Sequence, residues 1–248
     1  MSDDRATPPR THAELTELLE RATVHPDVVE LRPDYRVLLI AVDGIRPAPS
    51  DEHSETLLRA AEDHARTVLE HQPVEQLPHV SAWRDAYRAF GAKPQRTRNS
   101  LEALLRRTTT GLPRVNRLTD MYNAISVTHS IPLGGEDLDH YTGPPRLLRA
   151  TGTEPFLTTA NGDTITEHPE VGEVVWADNA GVTCRRWNWR QTTRTQLRDT
   201  TTAALFILDA LDPCTDDDLH YAANDLMTQL RAVSPDLVAA QRLIATDT

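Results

Sequence analysis

The feature that most limits the fold of this 248-residue chain is a change of texture at Gly135. Before it, apolar residues mostly recur with the period of a helix. After it, segments become short and rich in threonine, valine and glycine. HAELTELLERAT (12–23) places Leu15, Leu18, Leu19 and Ala22 on one helical stripe. Helices are likewise predicted from Ser54 to His71, over HVSAWRDAYRAF (79–90) with Gly91 as its stop, and over TDMYNAISVTHS. NSLEALLRR is a further helix, in which Asn99 caps and Glu102, three residues on, completes a capping box. The exception in this half is YRVLLIAVDGI (35–45), an unbroken apolar run ending in Asp-Gly, which reads as a buried strand. Past Gly135, PRLLRA, EPFLT, GEVVWAD and VTCRRWNW read as strands, with DNAG (178–181) as a hairpin turn. TTTAALFILDAL (200–211) and DLHYAANDLMTQLRAV (218–233) return to helix. Such segregation predicts an α+β domain, a mostly antiparallel sheet core flanked by helices. We expect a single compact domain over 1–248, with a mainly helical part at 1–89, a core at 90–211 and a C-terminal helix in 212–248.

Several function classes drop out early. A net charge of −11 argues against a general nucleic-acid coat protein, and no DNA partner is expected. Positive charge nevertheless concentrates between Lys93 and Arg117 and again between Arg185 and Arg198, so one basic face is compatible with the acidic total. No run of about 18 apolar residues is present, which predicts no membrane span. The opening MSDDRATPPRTHAEL lacks the basic start and apolar stretch of a signal peptide, and a cytoplasmic location is expected. Cys184 and Cys214 stand far apart without a C-x-x-C partner, which favours neither a disulfide framework nor a structural zinc. His140 beside Glu136, Asp137 and Asp139 is no metal motif, because no second histidine falls at ligand spacing. Nucleophile-elbow, P-loop and dinucleotide-binding patterns are missing, and no cofactor is expected.

The stretch CRRWNWRQTTRT (184–195) carries the densest chemistry, with four arginines and two of the four tryptophans. Read as a strand, it puts Cys184, Arg186, Asn188 and Arg190 on one face and Arg185, Trp187 and Trp189 on the other. Two readings stay open. The tryptophans fill the core beneath solvated arginines, or the Arg-Asn-Arg face presents fixed donors to a carboxylate or phosphate. The arginines next to Cys184 could lower its thiol pKa, although a buried structural cysteine fits better. Upstream, Asp120, Asn123 and Ser126 cluster on a helix, and PLGGEDLDH adds Glu136 and Asp137 directly after two glycines.

Six blocks then occur in order: GAKPQRTRNS (91–100), DMYNAIS (120–126), PLGGEDLD (132–139), RATGTEPF (149–156), GEVVWAD (172–178) and CRRWNWRQTTRT. The series is similar to the free-standing relatives of the tRNA-editing domain of the bacterial phenylalanyl-tRNA synthetase β subunit, over roughly residues 90 to 211. In the synthetase that module hydrolyses a wrongly attached amino acid from tRNA. The resemblance therefore implies a trans-acting aminoacyl-tRNA deacylase whose partner is the tRNA acceptor end with its amino acid. Two departures point to a different side-chain pocket. Gly134 stands where the synthetase has a histidine, and the synthetase's Gly-Gly-Glu loop has no clear match, WNWRQ falling in that region. A cationic side chain against Glu136 or Asp137 is the expected alternative, and tRNA carrying canavanine, an arginine analogue, is the first substrate suggested. The implied pocket residues are Asn123, Ser126, Glu136, Asp137, Asn188, Arg190 and Gln191. The implied tRNA contacts are Lys93, Arg96, Arg98, Arg185, Arg186, Arg194 and Trp187. No residue is singled out as the attacking group, since water can be oriented by polar groups. A tRNA-binding module without chemistry and an amino-acid sensor are the alternatives.

Overall fold

A computed structural model describes residues 8–245. The Asp-Asp-Arg of the N-terminus lies outside the described residues. In chain order the elements are α1 (His12–Glu20), β1 (Thr23–Val24), α2 (Pro26–Leu31), β2 (Arg36–Asp43), α3 (Glu52–Leu69), α4 (Pro78–Ala89), α5 (Ser100–Arg107) and α6 (Arg117–His129). There follow β3 (Leu133–Asp137), β4 (Arg146–Arg149), β5 (Phe156–Ala160), β6 (Asp163–Glu167), β7 (Val174–Asp178), β8 (Gly181–Arg185), β9 (Arg190–Gln191), β10 (Ala203–Ala210), α7 (Asp216–Val233) and β11 (Val238–Ala245). The fold is α+β, as the segregated texture predicts.

Two sheets make the core. One has the order β11-β2-β10-β3 and is antiparallel throughout. The other runs β1-β4-β7-β8-β9 and is antiparallel except for the β1–β4 pair. A β5–β6 hairpin covers the outer face of the second sheet through Phe156, against Val175 and Val182. Alternation along β2 and β10 sorts the first sheet's side chains. Val37, Leu39, Ala41, Leu205 and Ile207 face the second sheet's Leu147, Trp176 and Cys184, together with α1 and α4. Leu38, Ile40, Val42, Phe206 and Leu208 face α6 and α7.

That double burial explains the largest correction. TTTAALFILDAL is no helix but strand β10, all eight of whose residues are buried. A strand covered on both faces loses its period-2 signature, and a short continuous apolar run is then ambiguous between helix and strand. The stretch 212–248, read as a C-terminal helix, contains α7 and then strand β11, which closes the sheet edge beside β2. The first half of PLGGEDLDH is edge strand β3, hydrogen-bonded to β10, and Asp139 and His140 beyond it are exposed. The capping box at Asn99 is half formed. Asn99 Oδ1 accepts from Glu102 N at 2.8 Å, but the Glu102 carboxylate turns away to Arg84 (2.7 Å) and Arg106 (3.0 Å).

The glycine pair on β3 divides its work. A Cβ on Gly135 would sit 2.7 Å from Leu197 Cδ1 and 3.0 Å from Phe206 Cε1, whereas one on Gly134 would meet only Gln191 Nε2, at 3.7 Å. Gly135→Ala is expected to destabilise the fold by about 1–3 kcal/mol through overpacking, and Gly134→Ala to leave it almost unchanged. Equal melting temperatures for the two variants would refute this division.

Candidate active site

The strand expected over VTCRRWNWR stops at Arg185. Residues 186–189 turn back, with Arg186 (φ 48°) and Trp187 (φ 67°) both left-handed, and β9 resumes at Arg190. Two consecutive non-glycine residues in that region cost about 1–2 kcal/mol each. The turn is held from several sides. Glu173 Oε1 accepts from Arg186 N (3.2 Å), Val174 O from Trp187 N (2.7 Å), and Asn188 O from Ser100 N at the start of α5 (3.0 Å). Strain maintained by so many contacts is characteristic of a functional segment.

The turn disperses the residues that alternation would have grouped. Trp187 is fully buried, edge-on to Tyr35 (5.0 Å) and Trp83 (5.3 Å), so stacking of its ring on a nucleobase is ruled out. Arg185 is buried in a bidentate pair with Glu173 (2.8 and 2.8 Å) and also meets Glu167 (2.9 Å). Arg194 grips Asp178 with both amino groups (2.9 and 2.8 Å). These two are structural cations, engaged by carboxylates within the fold. Arg190 likewise points to Glu167, away from the cavity described next. Arg98 lies 3.7 Å from Glu102. Only Lys93 and Arg96 of the expected RNA contacts are exposed cations without an ion pair.

Between the open edges of the two sheets, under α5, lies a cavity of about 260 Å³. Its walls come from β3 (Gly134, Glu136), β10 (Ile207, Asp209), β7 and β8 (Trp176, Cys184) and the turn (Trp187, Asn188, Trp189). Gln191, Tyr122, Asn123 and α5 complete it, with Arg107 exposed on α5. Four of the seven expected pocket residues, Asn123, Glu136, Asn188 and Gln191, are thus brought together. Three are not. The Ser126 hydroxyl donates to Ile131 O (2.7 Å) and finishes α6. Asp137, one residue out of phase with Glu136 on β3, accepts from Thr201 Oγ1 (2.7 Å) and Asp139 N (3.0 Å). Arg190 is the third.

Asp209 was hidden by the misread helix. A lone aspartate inside the apolar run AALFILDAL was its signal, since an unpaired carboxylate is rarely buried without a reason. Glu136 and Asp209 both lie on the cavity side of the first sheet, and both are buried. Glu136 accepts from Tyr141 Oη (2.5 Å) and Thr195 Oγ1 (3.2 Å). Asp209 accepts from Tyr35 Oη (2.6 Å) and Asn188 Nδ2 (3.2 Å), and Asn188 in turn accepts from Tyr87 Oη (2.9 Å). Burial outweighs these donors and pushes each carboxyl up to about 7; the negative charge of Glu136 adds to the effect at Asp209. Burial also drives the Cys184 thiol upward, against the lowering expected from its arginine neighbours, whose guanidinium groups lie on other partners. The Asn123 side chain has no hydrogen-bond partner among the described residues and faces the cavity. Gln191 reaches across its edge to Gly135 O (2.7 Å).

A cavity of this size, just under the range of drug-sized ligand pockets, is large enough for an amino-acid side chain. Its wall is largely apolar, with the two buried carboxyl groups of Glu136 and Asp209 set into it. Among the described residues no cluster of three or more metal-ligating side chains occurs.

Residues 82–246, about two thirds of the chain, match the B3/4 domain. The chain belongs to the B3/4 domain family. That domain occurs in the phenylalanyl-tRNA synthetase β subunit, so the protein is a relative of a tRNA-synthetase domain. An N-terminal fragment of the phenylalanyl-tRNA synthetase β subunit from Pyrococcus horikoshii aligns with 88% of this chain at 15% identity and a TM-score of 0.43. The chain spans about half (49%) of that fragment. No curated protein matches the sequence.

Proposed function

We propose that this B3/4 domain is a trans-acting hydrolase that removes a cationic amino acid, canavanine first among the substrates to test, from mischarged tRNA. The observation that carries the reading is the cavity with two buried carboxyl groups, Glu136 and Asp209, at its wall. A guanidinium-like side chain would enter it, replace the water these groups have lost, and form charge-assisted hydrogen bonds to both. The ester would then lie toward α5 and Asn123, whose unpartnered amide is placed to orient the carbonyl or the attacking water. An aminoacyl ester is already activated, so orientation and electrostatics can supply the catalysis without a covalent intermediate. The acceptor end would approach over the exposed cations Lys93, Arg96 and Arg107.

One observation favours a second reading, a binding module without chemistry. Glu136 is tied down by hydroxyl donors, which suits an acceptor that holds a cation better than a mobile base. Deacylation of canavanyl-, arginyl- and tyrosyl-tRNA, with and without the protein, separates the two. Selective release of the cationic amino acid supports the hydrolase. Tight binding of charged tRNA with no release from any member would replace it by the binding module.

A further inference from the structure

On the other side of the 186–189 turn from the acidic cavity lies a second, polar recess of about 370 Å³. It is formed by the end of α4 (Phe90, Gly91), the connector 92–97, the segment before β7 (Glu170, Val171, Glu173) and Arg186. The connector is folded on itself, Lys93 O accepting from both Arg96 N (2.8 Å) and Thr97 N (2.9 Å), which sets Lys93 and Arg96 on the recess rim. Arg186 forms the fixed part of the wall. Its guanidinium donates to the buried Thr97 hydroxyl and to Glu173, and its backbone is locked in the left-handed region.

The charge balance sets this recess apart. Most arginines of the chain lie on carboxylates or backbone carbonyls. Among the described residues only Arg21, Lys93, Arg96, Arg107, Arg198 and Arg231 have side chains with no ion pair or hydrogen bond. Two of those six share this one recess. Of its two carboxylates, Glu173 is already engaged through both oxygens by Arg185, and Glu170 is exposed, 3.9 Å from Arg186. Three cations therefore converge with little opposing charge left free, on a chain whose total is −11. Arg186 and Asn188 are two Cα steps apart, roughly 8 Å at most, so the recess and the cavity border the same short turn.

We propose that this recess holds a backbone phosphate of the RNA whose aminoacyl end enters the acidic cavity, an inference that rests on the tRNA substrate proposed above. Lys93 and Arg96 supply the mobile charge and Arg186 the fixed donor. The test is binding of an unacylated RNA hairpin with a single-stranded CCA end, measured by fluorescence anisotropy across a salt series. The double variant Lys93→Glu/Arg96→Glu is compared with Arg21→Glu/Arg231→Glu, which changes net charge equally on elements that do not line the recess. The first is expected to bind at least about tenfold more weakly, with the log–log salt slope reduced by about 1.4 for two lost single-strand phosphate contacts. The control is expected to bind like the parent. A milder Lys93→Ala/Arg96→Ala variant, with an intermediate loss, guards against misfolding of the charge reversal. Equal weakening in both reversals would overturn the recess in favour of a general field effect. Unchanged binding in both would overturn it while leaving RNA binding intact. If the parent bound no RNA but still bound arginine methyl ester, the tRNA reading and the recess would fall together.

Discussion

Neutralising either buried carboxylate, by Glu136→Gln or Asp209→Asn, is expected to abolish the preference for a cationic amino acid while leaving the protein folded. Both replacements keep the shape of the side chain and an oxygen acceptor for the tyrosine hydroxyls that now bind Glu136 and Asp209. They also remove a charge that burial disfavours, so stability should hold or rise. What disappears is the partner of the incoming cation. Removing one member of a buried charge pair costs about 2–5 kcal/mol, or roughly 30- to 5,000-fold in kcat/KM for canavanyl-tRNA. Neutral aminoacyl groups should lose little, so the ratio of the two rates is the readout. Asp137→Asn is the matched comparison. It removes a carboxylate next in sequence to Glu136 whose partners, Thr201 and Asp139, lie outside the cavity. Selectivity that survived in Glu136→Gln and Asp209→Asn would show that the cation is bound elsewhere.

The contrast between Glu136 and Asp137 also marks how far the sequence could be read. The helices of the first half carry clear 3.6-residue periods because each buries one stripe, and α1, α3, α4, α5 and α6 lie close to where periodicity puts them. Strands β2, β4, β7 and β8 and the turn at Asp178 were equally legible. The misreadings share a cause: tertiary burial that a local pattern does not encode. Strand β10 is covered on both sides, so its alternation vanished, and with it went the second carboxylate of the cavity. Which of Glu136 and Asp137 faces inward depends on β3 pairing with β10, a contact about 70 residues distant in sequence. The 184–195 segment looked like a continuous strand because nothing local announces two left-handed residues when neither is glycine. Its arginines looked free because their partners, Glu167, Glu173 and Asp178, lie in other strands and turns. The sequence therefore points to the residues around the cavity, but which of them face it is sorted only by the fold.

Occupancy of the cavity should depend steeply on pH, in a direction fixed by the raised carboxyl pKa values. A cation binds best when Glu136 and Asp209 are both ionised. Below about pH 7 each begins to hold a proton, and affinity should fall by up to tenfold per pH unit for each group. Between pH 8 and pH 6 the Kd of arginine methyl ester is expected to weaken by roughly 100-fold in the parent and by roughly tenfold in either single neutralised variant. The empty protein should show the opposite trend. A carboxyl whose folded pKa lies above its unfolded value binds more protons in the folded state, so its contribution is complete below the unfolded pKa near 4 and is lost as pH rises through 7. His79 works against this. Burial holds its imidazole down at about 4, which makes folding more favourable as pH climbs from there past the usual histidine value. Two carboxyls outweigh one imidazole, and a net loss of about 2 kcal/mol between pH 6 and pH 8 is expected. The carboxylates lowered by arginine or backbone donors, such as Glu55 at about 2, titrate below this window and leave it undisturbed. Denaturant titrations at pH 6, 7 and 8, with and without the ester, read both effects. The decisive sign is a stability that falls with pH in the empty protein and a ligand stabilisation that grows with it. A cavity carboxyl pair already ionised at pH 6 would give neither.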